Sequence, residues 1–164
     1  VLKLARMDAG TVKYDIREVD IESLIEKSVK SNNVMFEKKG IEIKTEFERV
    51  PTVKGDPLKL REVINNLFSN ALKFVPEGGH LWIRTRKDGD WVEISVKDDG
   101  PGIPEELLDK IFREFYKADE SRHEQGTGLG LNICKRIIEE IHDGKMWAEN
   151  EHGAKFIFRL KIWR

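Results

Sequence analysis

Three apolar stripes at helical spacing, interleaved with stretches that alternate, confine this chain to a layered α/β arrangement. Asp56-Pro57 supplies a capping carboxylate and then proline at the first helical position, and Leu60, Val63, Ile64, Leu67 and Ala71 follow on one face. A second stripe runs from Ile21 through Leu24, Ile25, Ser28, Val29, Asn32, Met35 and Phe36 until Gly40 stops it. The third starts near Gly128, carries Leu131, Cys134, Ile137, Ile138 and Ile141, and ends at Asp143-Gly144. Elsewhere the period is two: Ile41, Ile43 and Phe47; Leu81 and Ile83; Val92, Ile94 and Val96; Phe156, Phe158, Leu160 and Ile162. Asp88-Gly89 joins the middle two as a hairpin, because glycine supplies the positive φ of a tight turn. The pattern predicts a two-layer α+β sandwich, with a mixed, mainly antiparallel sheet and helices on one face.

Other segments carry weaker signals. Thr11 to Val19 reads as a strand, Leu107 to Tyr116 as a short helix with an aromatic end, and Lys117 to Gln125 as a mobile polar loop. Val1 to Ala9 reads as a helix end closed by Gly10, with too few apolar residues to build a core. Residues 1–10 are therefore expected to belong to a neighbouring segment, and residues 11–164 to form the domain.

Composition narrows the class. At 164 residues and 39% hydrophobic content the chain suits one core, and although 36% of it is charged, the formal net charge is only −1. Nucleic acid is not an expected partner, since phosphate binding favours a basic face. The sequence contains no apolar run near the roughly 20 residues that cross a bilayer, so this segment is not expected to insert in a membrane. Cys134 is the single cysteine, which excludes an internal disulfide and a cysteine-rich metal site and fits a reducing cytoplasm.

Three separated motifs carry the chemistry. Asn66, Asn70 and Lys73 stand at i, i+4 and i+7 on the Asp56 helix, on a stripe beside the apolar one. A carboxamide oxygen there suits Mg²⁺, and an ammonium one turn on can reach phosphates. Asp98-Asp99-Gly100-Pro101-Gly102 follows a strand, where a carboxylate can accept from an exocyclic amine and glycines allow close approach. Gly126-Thr127-Gly128-Leu129-Gly130 opens a helix whose free amides can bind phosphate. Taken singly, each also fits an ordinary solvated face, turn or glycine-rich loop. Together they point to an ATP site.

In their order these residues resemble the catalytic and ATP-binding domain of bacterial sensor histidine kinases, within the superfamily that includes gyrase, the Hsp90 chaperones and MutL. The stretch NLFSNALKF from Asn66 to Phe74 is similar to that family's asparagine box, and DDGPGIP from Asp98 to Pro104 to its first glycine box. IFREFYK from Ile111 to Lys117 resembles the phenylalanine box, with Glu114 where proline is common, and GTGLGL from Gly126 to Leu131 the second glycine box.

The resemblance implies the Bergerat-type ATP-binding fold and a role for each matching position. Asn70 would hold Mg²⁺, Lys73 would contact phosphate, Phe74 would pack against the nucleotide, and Asp98 would read the adenine amino group. Asn66, Gly100, Gly102 and Ile103 would belong to the same ATP site. Lys117 sits where an arginine often meets the terminal phosphate. Gly126, Thr127, Gly128, Leu129, Gly130 and Leu131 would supply phosphate-binding backbone and the hinge of a lid over 118–125. It implies a cytoplasmic kinase module, monomeric in this piece and homodimeric in the complete kinase, whether or not the latter is anchored to a membrane. The cofactors would be ATP and Mg²⁺, and the partners a histidine-bearing dimerisation domain, whose last helix would end at residues 1–10, and a cognate response regulator. His80, His123, His142 and His152 all lack the sequence context of that family's phosphoacceptor, and His142 reads as structural.

Two alternatives stand beside this reading: a superfamily ATPase or serine kinase, and a catalytically silent module that binds nucleotide. The first commonly places a glutamate four residues before the metal-binding asparagine, where this chain has Asn66.

Overall fold

A computed structural model describes residues 13–113 and 130–164. The order is β1 (Arg17–Val19), α1 (Ile21–Lys38), β2 (Glu42–Phe47), β3 (Val53–Gly55), α2 (Pro57–Phe74), β4 (His80–Asp88) and β5 (Trp91–Asp98). Two 3-10 turns (Glu105–Leu107 and Lys110–Phe112) come next. Then α3 (Gly130–Arg136) runs on as a π-helical turn (Ile137–Ile141), before β6 (Lys145–Asn150) and β7 (Ala154–Lys161). The main sheet has the order β2-β4-β5-β7-β6, parallel only between β2 and β4, and β1 pairs with β3 in a small second sheet. The expected mixed, mainly antiparallel sheet is what the chain forms.

Period-two burial sorts the sheet into two faces. Leu81 and Ile83 of β4, Val92, Ile94 and Val96 of β5 and Phe156, Phe158 and Leu160 of β7 point into one core with the apolar stripes of the helices. Phe36 of α1 meets Phe68 of α2 edge-on, with ring centroids 5.8 Å apart. One carboxylate also lies inside: Glu22 Oε2 accepts the Thr85 hydroxyl at 2.6 Å and the backbone amides of Arg49 and Val50 at 3.1 and 3.2 Å. Three donors satisfy a group whose burial would otherwise be costly, and they fix the turn after β2.

Helix limits follow from local chemistry. Asp56 Oδ1 accepts the amides of Leu58 and Lys59, and Val75 leaves the helical region because Pro76 follows it. Asp20 caps α1 through the amide of Ser23, and Gly40 ends that segment at φ 70°.

Four expectations need correction. The strand expected over Thr11 to Val19 is only Arg17–Val19 within the described residues, because its partner β3 is itself three residues long. Leu107 to Phe112 forms no α-helix: the Phe112 carbonyl accepts the side-chain amide of Asn132 at 3.0 Å, and the segment turns twice as 3-10. Met35, expected in the buried stripe, is 55% exposed, since Phe36 beside it takes the core position. Ile41 is buried but precedes β2, which begins at Glu42. Among the described residues no helix is long and apolar enough to cross a membrane. Residues 1–12 and 114–129 lie outside the described residues, and with them the expected helix end, the loop over 117–125, Lys117, Gly126, Thr127, Gly128 and Leu129.

Candidate functional site

The site begins with α2. Burial of Leu60, Val63, Ile64, Leu67, Phe68 and Ala71 fixes the rotation of this helix, leaving Asn66 and Asn70 half-buried and Lys73 exposed. Phe74, its last residue, is 39% exposed. Asn66 also faces α3, where it neighbours Cys134, whose thiol donates to the Val63 carbonyl at 3.7 Å. Burial pushes that thiol's pKa up to about 12, outweighing the opposing effect of Asn66, so Cys134 is a packing residue and not a nucleophile.

The end of β5 meets the end of α2. A Cβ placed on Gly100 would lie 3.4 Å from Pro76 Cδ and 3.8 Å from the Phe74 carbonyl, so the Asp98 to Gly100 turn packs directly on the helix terminus. Asp98 Oδ1 accepts two backbone amides, from Gly100 at 2.9 Å and from Ala154 at 3.0 Å, and these bonds leave Oδ2 unused. Gly153 permits this arrangement, since a Cβ there would stand 2.0 Å from the Asp98 carbonyl oxygen. The next residue, Asp99, turns the other way: its carboxylate accepts the His80 amide at 2.9 Å and sits 2.8 Å from His80 Nδ1. Although burial opposes it, those hydrogen bonds hold the Asp99 carboxyl below the usual carboxylate range.

Gly102, at φ 82°, leads to Ile103, which packs half-buried against the core. Gly130 and Leu131 open α3 at the edge of the described residues; Gly130 is exposed and Leu131 packs on the core. The fold thus joins the Asp98 to Ile103 turn to the C-terminal end of the helix carrying Asn70 and Lys73. Sequence reasoning missed the residues that hold this turn: Asn150, Gly153 and Ala154 beneath it, and His80 beside it. Asn150 lies 47 positions from its partner Ile103, beyond any local pattern.

The residue set fits a nucleotide. The Asp98 oxygen left over by its amide bonds is an acceptor beside backbone that lacks Cβ atoms, as recognition of an exocyclic amine requires. Among the described residues no group of three or more His, Cys, Asp or Glu side chains could hold a metal. A cation here would therefore take most of its oxygens from a bound phosphate chain and waters, as Mg²⁺ commonly does, with a single carboxamide such as that of Asn70 added.

This geometry defines an ATP-binding domain of the histidine kinase type. Residues 55–164 match the family of histidine kinase-, DNA gyrase B-, and HSP90-like ATPases, to which the chain belongs. Within that family its likeness is to histidine-kinase catalytic domains. The catalytic domain of histidine kinase ThkA is 36% identical, with a TM-score of 0.82 over 90% of this chain and 95% of that one. ThkA has also been solved in complex with the response regulator protein TrrA. Full-length ShkA, solved in complex with AMPPNP, is 31% identical with a TM-score of 0.82 over 95% of this chain and 33% of that one. The adaptive-response sensory kinase SasA of Synechococcus sp. (strain CC9902) is 33% identical over 96% of this chain. The chain spans 43% of that kinase's length.

Proposed function

We propose that this domain binds MgATP and directs its γ-phosphate to a histidine on a separate dimerisation domain, for relay to an aspartate of a response regulator. The observation that carries the reading is the Asp98 carboxylate, tied by one oxygen to Gly100 and Ala154 at the end of the Asn70 and Lys73 helix. The relatives support it: ShkA was solved with AMPPNP, ThkA with a response regulator, and SasA is a sensory kinase.

When bound, MgATP supplies the transferable phosphoryl group together with a hard cation. Asp98 accepts the adenine amino group on Oδ2, while Gly100, Gly102 and Ile103 keep backbone close to the base. The exposed part of the Phe74 ring packs on the nucleotide. Asn70 gives its carboxamide oxygen to Mg²⁺, and Asn66 lies one turn before it. Lys73, Lys117 and the amides from Gly126, Thr127, Gly128, Leu129, Gly130 and Leu131 offset charge on the phosphates, where most phosphoryl-transfer catalysis resides. A general base is not required on this chain, because the attacking imidazole is already nucleophilic. Asn66 also bears on the hydrolase alternative: an amide beside a buried thiol stands where an acid would activate water. In this reading the domain is a cytoplasmic monomer within a homodimeric kinase.

The test is a Mg²⁺ titration of nucleotide binding. Asn70→Ala should abolish most of the metal's contribution to affinity, whereas Asn66→Ala should spare it and loosen the packing of α2 on α3. An unchanged Mg²⁺ response in Asn70→Ala would reject the metal role.

A further inference from the structure

We propose that Asn150 is a positioning residue for the nucleotide, holding the far end of the Asp98 to Ile103 turn so that Asp98 meets the base in one orientation. The inference rests on the nucleotide reading above. Asn150 is the last residue of β6 and is exposed, so it contributes little as packing. Its carboxamide nevertheless takes both backbone polar groups of Ile103: the Ile103 N–H donates to Oδ1 at 2.8 Å, and Nδ2 donates to the Ile103 carbonyl at 2.6 Å. Of the short side chains only an asparagine offers a donor and an acceptor side by side at this reach. Aspartate would keep the first bond and set an oxygen against the Ile103 carbonyl.

Gly102 explains why the contact is possible. A Cβ on that residue would lie 2.8 Å from Asn150 Oδ1, so the second glycine of the Gly-Pro-Gly turn provides space for this carboxamide as well as φ 82°. Just beyond Asn150, Gly153 in the turn between β6 and β7 backs the Asp98 carbonyl, and Ala154, the first residue of β7, donates to Asp98 Oδ1. One short segment, residues 150–154, thus grips both ends of the 98–103 turn. With Asn150 removed, the Ile103 end is released while the grip on Asp98 remains. The turn then samples more conformers, and ordering it again falls on nucleotide binding.

The experiment compares wild type, Asn150→Ala and Asn150→Asp by calorimetric titration with MgATP and with the Mg²⁺ complex of purine riboside triphosphate, which lacks the 6-amino group, alongside thermal melts without nucleotide. Asn150→Ala should bind ATP about fivefold to tenfold more weakly, from the loss of two hydrogen bonds. Its preference for ATP over the amino-free triphosphate should shrink about threefold or more, because Asp98 is less well aimed. Its melting temperature should move by only a few degrees. Asn150→Asp, which keeps one bond but sets two acceptor oxygens against each other, should also weaken ATP binding and base preference, and it decides on the same criteria if the alanine variant does not fold. ATP affinity and base preference both within about twofold of wild type overturn the proposal. So does an equal loss for both triphosphates together with a large fall in melting temperature, the signature of a merely structural residue. A wild-type chain that binds neither triphosphate rejects the nucleotide reading itself, and the role of Asn150 falls with it.

Discussion

His142 Nε2 accepts the backbone N–H of Asp56 at 3.0 Å, while its Nδ1 stands 2.9 Å from the Ile137 carbonyl, to which it donates. The ring therefore ties the end of the π-helical turn to the N-cap of α2, in the neutral form with the proton on Nδ1. Gly55 makes room for it, since a Cβ there would come within 3.1 Å of the imidazole. Asp56 in turn caps α2 with one oxygen and accepts the Asp15 amide at 3.0 Å with the other.

Stability should consequently fall in mild acid. Burial lowers the His142 pKa below its ordinary 6.5, against smaller opposing effects of the Ile137 bond and the Asp56 charge. The unfolded chain then binds the proton first: the contribution is complete above 6.5 and is lost progressively as pH falls from there through the lower folded value. Asp99, whose folded pKa is also lowered, acts in a separate window below its ordinary 3.8. Urea denaturation at about pH 7.5 and about pH 5.5 should show the loss. His142→Ala should remove that pH dependence and cost about 1–3 kcal/mol at the higher pH, by leaving the Asp56 N–H buried without its acceptor. An unaltered pH slope in the variant would show that another group is responsible.

Asp98 has two separable duties. Asp98→Asn can keep the acceptor for the Gly100 and Ala154 amides on one side-chain atom but turns the other into a donor that opposes an amino group. Asp98→Ala gives up both. Each should weaken ATP binding by about tenfold to a hundredfold, through loss of a charged acceptor worth about 1.5–3 kcal/mol. Melting temperature should fall clearly only in the alanine variant. Calorimetry and thermal melts on the pair read the two duties apart; ATP affinity unchanged in Asp98→Asn would remove Asp98 from base recognition.

The glycines give a graded prediction. Gly153→Ala should destabilise the domain by about 2–4 kcal/mol, because the added carbon would meet the Asp98 carbonyl oxygen at 2.0 Å on a backbone at φ 137°. Gly89→Ala meets nothing within 4 Å and carries only the left-handed backbone cost at φ 62°, about 1 kcal/mol. Equal losses in the two variants, by denaturant titration, would show that the close approach at Gly153 is relieved elsewhere.

The local signals were the dependable ones. Asp56-Pro57 and the apolar stripe after it set α2, and Asp88-Gly89 set the β4 to β5 hairpin, whose Asp88 faces Trp91. Each depends on residues within a few positions, where capping and turn chemistry act. The 3-10 turns before Arg113 were not legible, because the Asn132 amide that takes the Phe112 carbonyl comes 20 positions later. Of the candidate site, Asp98 and the Asn70 stripe were visible from residue type and spacing. Their support by Asn150, Gly153 and Ala154 appears only once β7 lies beside β5.

The most direct measurement is phosphotransfer from γ-labelled ATP, with this chain alone and with the histidine-bearing dimerisation domain of its own kinase added. This chain by itself should take no label. Acid-labile, base-stable label should form on the added domain, slowly and faster as concentration rises, because the effective concentration of a tether is missing. Replacing the acceptor histidine of the added domain should abolish the label. Acid-labile phosphate on this chain alone, or an added domain left unlabelled at every concentration although the chain binds MgATP, would contradict histidine phosphotransfer.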